Sequence, residues 1–270
     1  MLWASGRGLD GSWWGRAHPR TVDQRRVAPR SPQVKNLGID DAGTLVCPWC
    51  YICKRRLEEA LSTFEHADTV TMTYRSFQLD PSSPTTSDLS LEQMLAQKYG
   101  GTPEQARAMN DRVAGIAATV GLAFRLRDAH SANMFRAHRL LHLSAGNGLG
   151  SAPTERLMRG YFSEGARIGD RDELLGLAVE IGLAEADAAA VLDGDAFDAE
   201  VTADIALARA FGATGVPFFV LDRKYAISGA QETALFNQVL HQAWADSQLL
   251  TVVGADGAVC ADDVCAVPGS

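Results

Sequence analysis

Thr69-Val70-Thr71-Met72-Thr73-Tyr74-Arg75-Ser76-Phe77 alternates in polarity and is rich in β-branched residues, which predicts a strand. Asp80-Pro81-Ser82-Ser83-Pro84 stops it. Upstream, Val34–Ile39 and Thr44–Val46 read as two weak halves of a strand, split by Asp40, Asp41 and Gly43. The first strand is therefore expected to be short, displaced or missing. Between these strands, Tyr51–Phe64 has helical periodicity. After the proline stop only helical patterns follow. Ser90–Tyr99 starts from a serine cap, and Thr102-Pro103-Glu104-Gln105 gives a cap, a first-turn proline and an acid before a helix to about Val120. Ala132–Ser144, Thr154–Ser163, Asp170–Ile181, Ala184–Leu192 and Phe197–Phe211 continue the series. Phe218–Leu221 and Tyr225–Ser228, joined by Asp222-Arg223-Lys224, predict a hairpin, and Glu232–Trp244 a last helix.

Chemistry enters with Cys47-Pro48-Trp49-Cys50, between the apolar Thr44-Leu45-Val46 and the helix that follows. Two thiols two residues apart at a helix start can close and open a disulfide with little backbone movement. Free N–H groups and the positive end of the helix dipole stabilise the thiolate of Cys47. Pro48 at the first turn costs no helical hydrogen bond. The tetrapeptide alone leaves three readings open: a redox dithiol, half of a zinc site, or two buried cysteines at accidental spacing. Far downstream, Thr214-Gly215-Val216-Pro217-Phe218-Phe219-Val220 is a Gly-x-Pro turn entering an apolar strand, a place where proline is tolerated.

Several motifs in fixed order resemble the DsbA-like, FrnE-type thioredoxin proteins. They are Cys47-Pro48-Trp49-Cys50-Tyr51-Ile52 with Lys54-Arg55-Arg56-Leu57, Tyr74-Arg75-Ser76-Phe77-Gln78-Leu79-Asp80-Pro81, and Ala137-His138-Arg139-Leu140. Tyr161-Phe162-Ser163-Glu164-Gly165, Gly215-Val216-Pro217-Phe218-Phe219 and Ala226-Ile227-Ser228-Gly229-Ala230-Gln231 complete the series, from about Leu45 to Trp244. The resemblance implies an α/β chain, a thioredoxin fold with a large helical domain inserted, and thiol–disulfide oxidoreductase chemistry. Residues 34–80 and 196–246 would form the thioredoxin domain and 81–195 the insert. By the same resemblance Pro217 is a cis-proline facing the dithiol, and Val216 offers its backbone to an extended substrate. Cys47 and Cys50 are then catalytic. Pro48, Trp49, Val216, Pro217, Asn133 and His138 contact substrate, a disulfide- or dithiol-containing protein or small molecule. Trp49 stands where strong oxidants carry histidine, so a less oxidising couple is expected. The superfamily also holds kappa-class glutathione transferases and 2-hydroxychromene-2-carboxylate isomerases, which makes glutathione a candidate co-substrate and a transferase or isomerase the rival enzyme reading.

Other residues widen the picture. Cys53 stands where family members have glycine; it reads as a small buried residue, a competing resolving thiol, or a metal ligand with its neighbours. Cys260 and Cys265, in a tail spanning 247–270, form a second pair that could relay electrons, complete a zinc site in a zinc-stabilised binding module, or do nothing. His138 and His142, four apart, share a helix face and read as packed or surface histidines before a metal pair. No resident metal or other cofactor is expected beyond the redox-active disulfide. A net charge of −8 argues against nucleic acid or anionic lipid as partner, and no apolar run reaches membrane-spanning length. Residues 1–33 lack apolar periodicity and carry Pro19, Pro29 and Pro32, so a disordered extension without an export signal is expected. That points to a reducing cytoplasm, where a labile disulfide is more plausible than structural ones. The homodimer common in related folds is compatible with these features.

Overall fold

The computed structural model describes residues 36–247, together with the backbone of 259–261 and 264–266. The expected N-terminal extension lies outside the described residues. Strand β1 (Leu37–Gly43) leads to α1 (Pro48–Ser62) and β2 (Val70–Ser76). Six helices follow: α2 (Leu91–Tyr99), α3 (Pro103–Thr119), α4 (Phe135–Gly146), α5 (Ala152–Arg159), α6 (Arg171–Glu180) and α7 (Glu185–Asp193). Then come α8 (Asp198–Ala210), β3 (Phe218–Leu221), β4 (Tyr225–Ser228) and α9 (Thr233–Ser247). The sheet order is β2-β1-β3-β4, with β1 parallel to β2 and antiparallel to β3. This is the thioredoxin arrangement, with α2 to α7 between its two halves.

The first strand corrects the sequence expectation: it is a single continuous strand through Asp40 and Asp41, not two halves. Alternation explains how. Leu37, Ile39, Asp41 and Gly43 point to one face, and Gly38, Asp40 and Ala42 to the other. Asp40 is neutralised across the sheet by Arg75 of β2, with Nε 2.7 Å from Oδ1. Asp41 goes inward and is only 6% exposed. A carboxylate pair that looks like a break in sequence is thus split between two surfaces.

Helix α1 starts earlier than the pattern predicts, with Pro48 at its first position and Cys47 as N-cap. One stripe of it, Cys53, Leu57 and Ala60, packs with Leu37, Ile39, Phe219, Leu221 and the α9 residues Phe236 and Leu240. Another, with Cys50 and Tyr51, joins a larger cluster of the helical block that includes Leu140, Leu157, Tyr161 and Phe162. The dithiol therefore sits where the sheet domain meets the block. The two are tied by a polar network: the Tyr51 hydroxyl donates to Glu155 of α5 at 2.6 Å, Lys54 reaches the same carboxylate at 2.7 Å, and Arg55 also pairs with it. Reciprocal capping boxes start α2 (Ser90 with Gln93) and α3 (Thr102 with Gln105). A π-helical turn, Gly160–Glu164, ends at Gly165 with φ +75°.

Asp204 of α8 fastens the edge strand to the block. It accepts from the Ser76 backbone N–H at 3.0 Å, Arg75 Nη1 at 3.1 Å and His142 Nε2 at 3.1 Å. Burial opposes its ionisation, yet these donors hold its carboxyl below the usual carboxylate range. A depressed folded pKa gives stability that is complete above the unfolded value near 3.9 and disappears as pH falls through the folded value. Asp204→Asn is therefore expected to lower unfolding free energy by about 2–3 kcal/mol at pH 7. In urea titrations the gap to wild type should narrow as pH drops below about 4; a gap independent of pH would contradict this.

Candidate functional site

Cys47 occupies the N-cap of α1 in an extended conformation (φ −90°, ψ 115°), and its neutral thiol makes no cap hydrogen bond. At an N-cap, the side chain faces the N–H groups of the second and third helical residues. Here those residues are Trp49 and Cys50. The Cys50 thiol donates to the Cys47 sulfur, and although burial works against the charge, this bond and the N–H groups of Cys50 and Trp49 lower the Cys47 pKa. Cys50 lies one turn inside the helix and is buried. Burial first, then the bond to Cys47 and the adjacent negative charges, push its pKa well above the ordinary thiol value. The surroundings favour ionisation of the first sulfur and oppose it at the second.

Across from Cys47 stands the turn before β3. The Val216–Pro217 peptide bond is cis, and the Cys47 Sγ is 3.9 Å from the Val216 carbonyl oxygen. Pro217 is buried and Val216 half-buried. Cys47, Pro48 and Trp49 also line a cleft of about 340 Å³ whose walls include Leu91, Met94 and Met134. Leu79, Tyr99 and Met109 at its rim are exposed. The cleft has the size and mainly apolar lining of a small-molecule or side-chain pocket.

Sequence reasoning missed Asp41. It lies six residues before Cys47, on the face of β1 beneath the stripe Cys50, Lys54, Glu58 of α1. Burial pushes its carboxyl up to about 7; Lys54 pulls the value down and Glu58 pushes it up. Its charge in turn raises Cys50, which places the two groups within electrostatic reach. Asp41, Lys54, Glu58, Tyr74 and His142 line a second, more polar cavity of about 700 Å³ at the β2 edge. The available signal was period two: an acid in phase with Leu37 and Ile39 is an inward-facing acid.

Other expected positions are corrected. Asn133 does not face the cleft: its amide donates to the Pro81 and Ser83 carbonyls, and its oxygen accepts from Gln78 and the Phe135 N–H. It fastens the loop after β2 to the start of α4. His138 is fully buried, its Nε2 3.1 Å from the Phe77 carbonyl oxygen, and burial pushes it down to about 4. A neutral buried imidazole under the strand end is a structural group. His142 turns instead to Asp204, so the two histidines do not converge. Cys53 is fully buried in the α1–α9 core, away from the cluster holding Cys47 and Cys50. Burial pushes its thiol up to about 11, an inert setting. Cys260 and Cys265 are directly opposed in the hairpin of β5 (Val259–Ala261) and β6 (Val264–Ala266); their side chains lie outside the described residues. Among the described residues no three His, Cys, Asp or Glu side chains form a metal-ligand group, and no helix is long and apolar enough to cross a membrane.

Residues 44–241 match the family model of the DSBA-like thioredoxin domain. No curated protein matches the chain. Among solved structures, the chain is similar to a probable DsbA oxidoreductase from Streptomyces coelicolor, with 42% identity over 87% of this chain and 100% of the other, at a TM-score of 0.77. It shares its fold with the cytosolic disulfide reductase DsbM from Pseudomonas aeruginosa, solved with GSH (21% identity, 77% and 99% covered, TM-score 0.55). The same holds for a 2-hydroxychromene-2-carboxylate isomerase (14% identity, 77% and 97% covered, TM-score 0.59).

The opposed shifts of the thiols give a direct expectation. When the reduced protein is treated briefly with iodoacetamide at pH 7, peptide mapping should find Cys47 alkylated well before Cys50 and Cys53, because only the thiolate reacts. Equal labelling of Cys47 and Cys50 would contradict the asymmetry.

Proposed function

We infer the function from one premise: this chain belongs to the DSBA-like thioredoxin domain family, a family of oxidoreductases. On that premise the chain is a thiol–disulfide oxidoreductase working through Cys47-Pro48-Trp49-Cys50. The observation that supports this reading is a sulfur with lowered pKa at a helix N-cap, 3.9 Å from the carbonyl before the cis-proline.

The Cys47 thiolate attacks one sulfur of a substrate disulfide. A Cys47–substrate disulfide forms, and the other substrate sulfur leaves as a thiolate. Val216 and Pro217 hold the substrate segment beside the sulfur. Cys50 then passes its proton to the Asp41 carboxylate, and the resulting thiolate attacks the Cys47 sulfur. The substrate–Cys47 bond breaks, the substrate leaves reduced, and the enzyme keeps the Cys47–Cys50 disulfide. The reverse sequence oxidises a dithiol. Asp41, close to half-ionised at neutral pH, is matched to this exchange. Cys260 and Cys265, opposed across their hairpin, are the second dithiol we assign to electron relay. We place the protein in the cytoplasm, in keeping with the neighbour named as cytosolic.

A second reading, a glutathione-linked transferase or isomerase, is favoured by the small-molecule size of the cleft beside Cys47. Turnover without Cys50 and saturable glutathione binding distinguish it. For the dithiol reading, Cys47→Ser abolishes reduction of insulin disulfides and Cys50→Ser accumulates mixed disulfides visible on non-reducing gels. Unchanged turnover in Cys47→Ser would falsify it. Asp41→Asn is expected to leave the first attack intact and to slow resolution on the order of 10²-fold, read by single-turnover thiol release.

A further inference from the structure

Tyr74 of β2 pairs in register with Asp41 of β1, so the two side chains stand together on the α1 face of the sheet. Its ring borders the polar cavity, but its hydroxyl is sealed from solvent and has no hydrogen-bond partner. Leaving a buried hydroxyl unpaired is unfavourable, and such an exception asks for a reason. The surroundings supply one. A Cβ on Gly43 would stand 3.3 Å from the Tyr74 hydroxyl and 3.2 Å from its ring edge, and 3.6 Å from Asp41 Oδ1. Glycine thus leaves a narrow gap, tighter than a methyl group needs, bordered by both the orphan donor and the buried acid. Cys50 and Cys47 are within electrostatic reach of the same phenol.

We propose that Tyr74 is a positioning residue for the resolving step, its hydroxyl closing the gap over Gly43 to donate a hydrogen bond to the Asp41 carboxylate. The inference rests on the dithiol reading above and deepens it. The phenol does not act as a base, because burial and the neighbouring negative charges hold it protonated far above neutral pH. It gives a donor to the ionised form of Asp41 and none is needed by the neutral form, so it raises the fraction of Asp41 ready to accept the Cys50 proton. In the step itself the proton passes from Cys50 sulfur to Asp41 oxygen, the Cys50–Cys47 bond forms, and the substrate thiolate departs; Tyr74 keeps its own proton throughout. The remaining groups around Asp41 are Lys54 and Glu58 of α1, with Asp204 of α8 adding its charge at Tyr74. On the other side of the phenol lies the His138 ring of α4, near-parallel at 6.2 Å and neutral at working pH. His142 of α4 lines the shared cavity.

Ellman's reagent separates the two steps, because Cys47 attack releases one coloured thiolate and Cys50 resolution releases the second. The measurement uses the full chain carrying Cys53→Ala, Cys260→Ser and Cys265→Ser, so that only the dithiol reports. In Tyr74→Phe the fast phase should be unchanged, while the apparent pKa of the slow phase rises by about one unit, as expected when a carboxylate loses a donor. Below the Asp41 pKa the melting temperature should stay level, since the bond is made only to the ionised carboxylate. Gly43→Ala, which wedges the phenol from the acid with the hydroxyl retained, should give the same shift. An unshifted slow phase in Tyr74→Phe overturns the proposal, as does a marked fall in melting temperature with both phases slowed alike. A parent protein that lacks two-phase release overturns the dithiol reading itself.

Discussion

A sulfur anion out of contact with bulk water must obtain its stabilisation from fixed donors, and in this protein it obtains them from the end of a helix. The first N–H groups of any helix lack intrahelical partners. Oxygen-bearing caps usually satisfy them, whereas here the cap is Cys47, whose neutral thiol makes no cap bond, and the Cys50 N–H also reaches the Cys47 carbonyl oxygen at 3.0 Å. Ionisation therefore completes the helix start at the same moment that it creates the nucleophile. Pro48 fits this arrangement, since it removes one N–H that would compete for nothing and leaves those of Trp49 and Cys50 to meet the sulfur. The Cys50 thiol adds a further donor, and it keeps its own proton first because it is buried and then because of this bond.

Strand β1 carries the other half of the design. Its alternation delivers Asp40 to Arg75 on one surface, where the pair links the strand to Asp204 and α8. On the other surface it delivers Asp41 beneath the dithiol. A shift of pairing by one residue would exchange these faces, exposing the buried acid and burying an unpartnered one. The seven-residue parallel register with β2 and the antiparallel register with β3 hold the strand against that slip. Position on a sheet, and not proximity in sequence, is what makes two adjacent aspartates do unrelated work.

Much of this was legible in the chain. Caps and punctuation located most helices within a few residues, because Ser90, Thr102 and Asp170 satisfy N–H groups locally and need no tertiary help. The dithiol and the Val216–Pro217 turn were found for the same reason: both are short motifs whose chemistry is written in adjacent residues. Asn133 and His138 were misplaced because a recurring pattern says that a residue matters without saying why. In the fold, their hydrogen bonds are spent on the loop after β2 and on the end of that strand. The continuity of β1 was hidden because Asp41 opposes strand formation by composition, and only the charges and cavity around it make its burial tolerable.

The sheet edge, last, gives the dithiol two surroundings with different duties. Cys47 opens on a mainly apolar cleft bordered by the helical block, while the acid beneath Cys50 opens on a somewhat more polar cavity beside β2. Under the proposed function, a substrate joined to Cys47 would occupy the first space, and a proton leaving Cys50 in that direction would find no acceptor. The second cavity would stay free throughout, since neither Cys47 nor Val216 lines it. Exchange at Cys47 and proton traffic at Asp41 can then proceed without obstructing each other. Such separation requires an inward acid on a strand one neighbour from the edge, where water can approach it from the side of β2. The order β2-β1-β3-β4 meets that requirement, and a β1 covered by a further strand beyond β2 would not.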